Sequence, residues 1–252
     1  MIYLSLTHRF MLYKRVILKF SGEILKSTSC SDIIDYATIE KLCDILKNLH
    51  SCGLEMGLVL GGGNIFRGLS TSASTGCSRT RGDYMGMLAT AINCLAVQDG
   101  LEKLNLASCI YSAIPMPDIC DTFTIRNALR DISEGKILLL AGGTGRAFFS
   151  TDSAAALCAS ELQADIVVKA TKVDGVYDRD PKKFPDAKKF DVISFADVLK
   201  NRFHVMDSTA FSLCMDNDIP ILILDATSNM DSIERALLGE KLGTLVSNND
   251  GE

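Results

Sequence analysis

The chain has no tryptophan, 5 prolines and 3 histidines among its 252 residues. His8, His50 and His204 stand apart from any motif, so acid–base catalysis built on histidine is not indicated. The 9 cysteines never form a CxxC pair, and no Cys/His cluster has the spacing of a zinc site. Scattered through apolar segments (Cys43, Cys94, Cys158, Cys214), they read as buried free thiols of a reducing cytoplasm. No run of about 18 apolar residues occurs, which excludes a membrane-spanning helix. The opening MIYLSLTHRFMLYK looks like a secretion leader, but Thr7, His8 and Arg9 break its apolar run and no small-residue cleavage site follows. Basic surplus is missing too: 26 Lys+Arg against 31 Asp+Glu give a net charge of -5, which argues against general nucleic-acid binding. Two nucleotide signatures are absent, GxxxxGK[ST] and GxGxxG, which disfavours P-loop kinases and dinucleotide enzymes.

What is present is a rhythm. Apolar, β-branched runs at 15–20, 54–60, 108–114, 136–141, 165–169 and 219–224 alternate with segments of helical period. Ile39, Leu42, Ile45, Leu46 and Leu49 share one helix face; Met85, Leu88, Ile92, Leu95 and Ala96 mark a long helix; Ile125, Leu129 and Ile132 mark a third. Asp152 reads as the N-cap of a helix over 153–163, and further helices are expected near 195–200 and 208–217. Such alternation predicts an α/β fold: a three-layer αβα sandwich around a mostly parallel central sheet. No internal repeat, low-complexity tract or linker appears, so one domain is expected.

Two of the strands run into glycines, at 61–63 and at 142–145. In open parallel sheets ligands gather at the carboxyl ends of strands, and glycine there lets backbone N–H groups converge on an anion. With Lys19 and Arg67 close to strand ends, the pair of turns points to a phosphorylated ligand. Each residue taken singly has a plainer reading. Lys19 is a strand-end lysine in solvent, Asp83 and Asp152 are helix caps, and Asp174-Gly175 is a turn.

In sequence, LKFSGE, LGGGNIFRG, RGDYMGMLAT, GGTGRAFFSTDSAA, KATKVDGVYDRDP and HVMDSTAF resemble the motifs of the bacterial-type UMP kinases of the amino acid kinase family. The resemblance runs from Lys14 to Val246. It implies a kinase domain over 14–252, with UMP on the N-terminal half, ATP on the C-terminal half and residues 1–13 as an extension. It assigns catalysis to Lys19 and Asp152, the first bridging the transferred phosphoryl group and the second organising the lysine. It implies ATP contacts at Lys19, Phe20, Ser21, Gly22, Gly63, Arg67, Thr171, Tyr177 and Asp180. UMP contacts are implied at Gly62, Arg67, Asp83, Thr144, Gly145, Arg146, Ala147, Phe148, Phe149, Ser150 and Thr151. Asp207 matches a position near the transferred phosphate. No protein metal ligand is implied; Mg²⁺ accompanies ATP. UTP as an inhibitor, GTP as an effector, a homohexamer and a cytoplasmic location complete the expectation, with neither membrane nor nucleic acid as partner.

The residue types suit that chemistry, because an acceptor phosphate is already ionised and transfer requires placement and neutralised charge rather than a general base. Two other readings remain open at this point: a related kinase acting on a carboxylate or carbamate, and a non-catalytic nucleotide-binding protein of storage or regulation. The chain also departs from the family pattern. Arg146-Ala147 replaces a small polar residue and a proline, and Ser27 to Ser31 lacks the usual glycines, so weak GTP activation with persistent UTP inhibition is expected.

Overall fold

The strand RVILKF, β1 (Arg15–Phe20), is buried along its whole length, and the rest of the fold is arranged around it. The structure, a computed structural model, describes residues 12–26, 32–66, 76, 78–203 and 205–249. Arg67 and the glycine-poor stretch 27–31 lie outside the described residues, as does His204.

Further strands are β2 (Glu55–Leu60), β3 (Ser108–Ser112), β4 (Asp121–Thr122), β5 (Ile137–Ala141) and β6 (Ile166–Thr171). They are followed by β7 (Val176–Tyr177), β8 (Lys189–Phe190), β9 (Val192–Ser194), β10 (Ile221–Asp225) and β11 (Thr244–Ser247). Among the described residues, nine strands form one sheet in the order β4-β3-β5-β2-β1-β6-β10-β11-β9. Within it the β10–β11 pair is antiparallel and the other pairs are parallel. β7 and β8 make a separate antiparallel hairpin.

Both faces are covered, as parallel sheets require. On one side α1 (Tyr36–Ser51) and α2 (Arg79–Lys103) pack over Leu18, Phe20 and Leu58. On the other, α3 (Ile125–Ser133), α4 (Thr151–Glu161), α5 (Phe195–Asn201) and α6 (Ser208–Asp216) pack over Ile17, Val59 and Val167. The short α7 (Ser232–Leu237) joins the first side. The expected three-layer sandwich is thus the observed one.

Two local expectations need correction. The N-cap of α4 is Ser150, whose Oγ accepts from the N–H groups of Asp152 (3.0 Å) and Ser153 (3.3 Å); Asp152 lies inside the first turn. The cap reading of Asp83 fails likewise, because α2 begins at Arg79 with Ser78 as its cap. Of the apolar residues that mark α2, only Ala96 is buried. Met85, Leu88, Ile92 and Leu95 are 46%, 49%, 47% and 41% exposed, while Met87, Ala91, Cys94, Val97 and Leu101 face the core. Among the described residues no helix is long and apolar enough to cross a membrane. Cys43, Cys94, Cys158 and Cys214 are free and buried, as the sequence suggests. Burial pushes the thiols of Cys43, Cys158 and Cys214 up to about 12.

Candidate active site

At the carboxyl ends of the central parallel strands the chain turns through Ser21-Gly22, Gly61-Gly62-Gly63 and Gly142-Gly143. The first two turns touch backbone to backbone. A Cβ on Gly22 would clash with the Gly61 carbonyl oxygen and stand 2.6 Å from Asn64 Oδ1. Only glycine lets β1 and β2 leave the sheet so close together. Gly142 and Gly143 hold φ of +77 and +58, left-handed values that cost a side-chain-bearing residue.

Three charged side chains meet below these turns. Lys19 from β1 and Lys169 from β6 are direct partners in the parallel ladder, so both point to the α4 side of the sheet. Asp152, from the first turn of α4, stands between them. Lys19 Nζ lies 2.6 Å from its Oδ1, and Lys169 Nζ donates to its Oδ2 at 2.5 Å. The three are 8%, 7% and 8% exposed in the order Lys19, Lys169, Asp152. Burial alone would raise the Asp152 carboxyl, but the two ammonium groups outweigh it and hold the group below the ordinary carboxylate value. Burial lowers the Lys169 ammonium, Asp152 opposes that, and Lys19 lowers it further; the net result lies below the ordinary lysine value. By formal charge the trio carries one net positive charge at the sheet's carboxyl edge, with Asp207 also acting on Lys169, a setting that favours an anion.

Lys169 is the member of this trio that the sequence did not single out. Its signal was there: a lysine inside the otherwise apolar strand IVVKAT, unpaired in sequence with any acid. Lys19, read alternatively as a solvent lysine, is buried instead. Asp207 caps α6, accepting from Ala210 N–H (2.8 Å), and also accepts from the hydroxyls of Ser150 and Ser153. It thereby ties α6 to the turn that carries Asp152.

The loop 142–150 is drawn towards α2. Asp83 receives both of its oxygens' contacts from Arg79 Nε (2.7 and 2.8 Å), and its Oδ2 also accepts from Phe148 N–H at 2.8 Å. Arg79 in turn lies over the Phe148 ring, 5.4 Å from its centroid. Phe148 has φ of 73, and its ring is 67% exposed; a non-glycine residue rarely accepts both. Thr144 Oγ1 accepts from Arg146 N–H at 3.3 Å, folding the loop tip on itself. Between this loop and α2 lies a cavity of about 130 Å³, lined by Gly62, Asp83, Gly86, Gly143, Ser150 and Thr151. Gly145, Ala147 and Phe149 complete the same loop.

The remaining expected positions are spread along the other half of the sheet's edge. Gly22 opens a single 3-10 turn to Leu25, capped by Ser21, and Lys172 reaches its Glu23 at 2.6 Å. Thr171 ends β6, two residues beyond Lys169. Tyr177 lies in the hairpin and donates to Asp174, and Asp180 caps the turn that follows through Lys182 N–H. Phe20 is fully buried in the core, so only its backbone faces the turn.

A model of the amino acid kinase family matches residues 14–225. Among solved structures, a UMP kinase from Bacillus anthracis superposes with a TM-score of 0.90 at 30% identity, covering 94% of this chain and 97% of that one. A UMP kinase from Ureaplasma parvum gives 0.86 at 35%, covering 94% and 100%. A uridylate kinase from Archaeoglobus fulgidus shares the fold at 0.69 and 23% identity, with 92% and 99% covered.

Proposed function

The chain belongs to the amino acid kinase family, and from that premise we infer that it transfers the γ-phosphoryl group of ATP to UMP. The observation that carries this reading is the buried Lys19–Asp152–Lys169 trio set under two glycine turns. A protein that merely stored nucleotide would gain nothing from burying two cations around one carboxylate, because a buried charge is costly unless it is used or paired.

We place UMP in the cavity between α2 and the loop 142–150, with Asp83, Gly62, Thr144 to Thr151 and Arg67 as its contacts. ATP takes the other half, against Lys19 to Gly22, Gly63, Arg67, Thr171, Tyr177 and Asp180. The domain over 14–252 is thus divided between acceptor and donor. Lys19 and Lys169 neutralise the phosphoryl oxygens as charge develops on them, and Asp152 holds both ammonium groups in place without touching the nucleotides. Backbone N–H groups of the glycine turns supply the rest of the cradle. No general base is required, since the acceptor oxygen carries its charge already.

Among the described residues no group of three His, Cys, Asp or Glu side chains could hold a metal on its own. The site is built of ammonium groups and amides rather than carboxylate ligands, so a Mg²⁺ ion would enter with ATP and supply further positive charge for its phosphates. A carboxylate or carbamate acceptor is not favoured, since the solved structures matched at 30% and 35% identity are UMP kinases.

We further propose a cytoplasmic enzyme of pyrimidine nucleotide synthesis that assembles as a homohexamer. The exposed stripe Met85, Leu88, Ile92 and Leu95 gives α2 a face for a second copy. UTP inhibits by occupying the acceptor pocket, and GTP activates weakly. The deciding experiment is ADP release with UMP, CMP or no acceptor, in the presence of Mg²⁺. Release that depends on UMP supports the reading; release of equal rate without acceptor refutes it.

A further inference from the structure

The buried face of α2 carries two polar residues one helical turn apart, Thr90 and Asn93, and each reaches a different glycine turn. Thr90 Oγ1 donates to the Met87 carbonyl (2.6 Å) and accepts from Gly142 N–H (2.8 Å). Asn93 Nδ2 donates to the Gly61 carbonyl (2.7 Å) and to Asn64 Oδ1 (2.8 Å), and its Oδ1 accepts from Asn64 Nδ2 (3.0 Å). The second hydrogen of Asn64 Nδ2 goes to the Ile33 carbonyl (3.0 Å). Both amides are therefore fully satisfied, as buried polar groups must be. The contact is close as well, because a Cβ on Gly62 would stand 2.5 Å from the Gly86 carbonyl oxygen and 2.8 Å from Ala89 Cβ.

A helix needs neither side chain for its own ladder, and an unpaired amide on a buried face is destabilising. Their partners are what they serve. We propose that Thr90 and Asn93 are positioning residues: α2 holds the turn at Gly142 and the turn at Gly61–Asn64 at a fixed separation, Thr90 thereby governing acceptor affinity and Asn93 the rate of transfer. The division follows from the partners. Thr90 bonds the first residue of the loop that encloses UMP, and nothing on the ATP side. Asn93 bonds the turn that packs on Gly22, where both nucleotides converge. The inference rests on the UMP kinase reading given above.

The test measures KM and kcat for UMP and ATP in Thr90→Val, Thr90→Ser and Asn93→Leu, with melting curves to establish folding. Thr90→Val keeps the shape and loses the acceptor for Gly142 N–H. One such hydrogen bond corresponds to about fivefold, so KM for UMP rises by about that factor while KM for ATP stays within about twofold. Thr90→Ser, which keeps the hydroxyl, recovers most of the wild-type KM. Asn93→Leu lowers kcat by about tenfold with smaller changes in either KM. A merely structural role would lower the melting temperature and leave the two KM values in their wild-type ratio. If either variant is not recovered folded, Thr90→Ala or Asn93→Ser replaces it under the same criteria. A folded Thr90 variant with unchanged KM for UMP, or with equal rises for both nucleotides, overturns the proposal, as does a folded Asn93 variant of unchanged kcat. Wild-type protein without UMP-dependent ADP release overturns the underlying function instead.

Discussion

Replacing Lys169 with methionine removes one of the two ammonium groups that face Asp152 and leaves an unbranched chain of similar length in the buried position. For chemistry, the transferring phosphoryl group loses one preorganised cation. That is worth about 2.7–4 kcal/mol, or roughly 10²–10³-fold in turnover. For stability, stripping a buried charge of its partner costs about 3–5 kcal/mol. Lys19 still stands 2.6 Å from Asp152, and its repulsion with Lys169 disappears, so the loss falls below that range. The pH dependence has a definite sign. Burial raises the Asp152 carboxyl and the two lysines hold it below its ordinary value. A carboxyl depressed in the folded state contributes stability above its unfolded pKa and loses it as pH falls through the folded one. With one lysine gone the folded value climbs, and acid unfolding of the variant begins at higher pH than in wild type. Turnover by ADP release with UMP and ATP, and acid titration by circular dichroism, read the two effects separately. A folded Lys169→Met protein that keeps more than about a tenth of wild-type turnover, a loss under about 1.4 kcal/mol, would refute the role given to Lys169.

The other expectations are simpler. Lys19→Ala loses about 10²–10³-fold in turnover and stays folded, because Lys169 still faces Asp152; single-turnover kinetics and a melting curve check both halves. Asp83→Asn raises KM for UMP more than KM for ATP, since Asp83 holds Arg79 and Phe148 N–H on the acceptor side, and equal rises would assign it to helix integrity alone. The alkaline limb of kcat/KM begins below the ordinary lysine value of 10.5, because burial first, and Lys19 in addition, hold the Lys169 ammonium down against Asp152; Lys169→Arg moves that limb to higher pH. Ile92→Glu on the exposed face of α2 is expected to dissociate the proposed hexamer, and light scattering at matched concentration would show an unchanged mass if that face is free.

The long strands were legible because each is a β-branched run bounded by turn residues, and the sandwich followed from their alternation with helices. The two- and three-residue strands β4, β7, β8 and β9 were not, since so short a segment has no period and its pairing is long-range. The antiparallel β11 escaped for the second of those reasons. At 150–153 the sequence offers Ser, Thr, Asp and Ser in a row, four residues each able to cap a helix. Local chemistry cannot choose among them; the bonds from Ser150 to Asp207 and to the first amides of α4 do. In α2 the period was real but two-sided. Met85, Leu88, Ile92 and Leu95 lie outward while Met87, Ala91, Cys94, Val97 and Leu101, with Thr90 and Asn93, face the sheet, so the apolar period fitted either face. Lys19 and Lys169 both stand near strand ends in the sequence, but their pairing was not legible, because the ladder that sets them side by side joins residues far apart in the chain.

That ladder also bears on the order in which the molecule assembles. Like charges directly opposite one another oppose strand pairing, and β1 and β6 must close with two buried lysines in register. Among the described residues the carboxylate paired with both is Asp152 of α4, a helix that lies between β5 and β6 in the chain. Pairing of the two central strands is therefore eased by docking of the helix that precedes β6 in the chain. Without α4 docked, the β1–β6 pairing that joins β4-β3-β5-β2 to β10-β11-β9 carries that repulsion unrelieved. The same carboxylate that faces both lysines thus also bridges the seam between the two halves of the sheet, and Asp152→Asn is expected to weaken that seam as well as turnover, the first read by a melting curve.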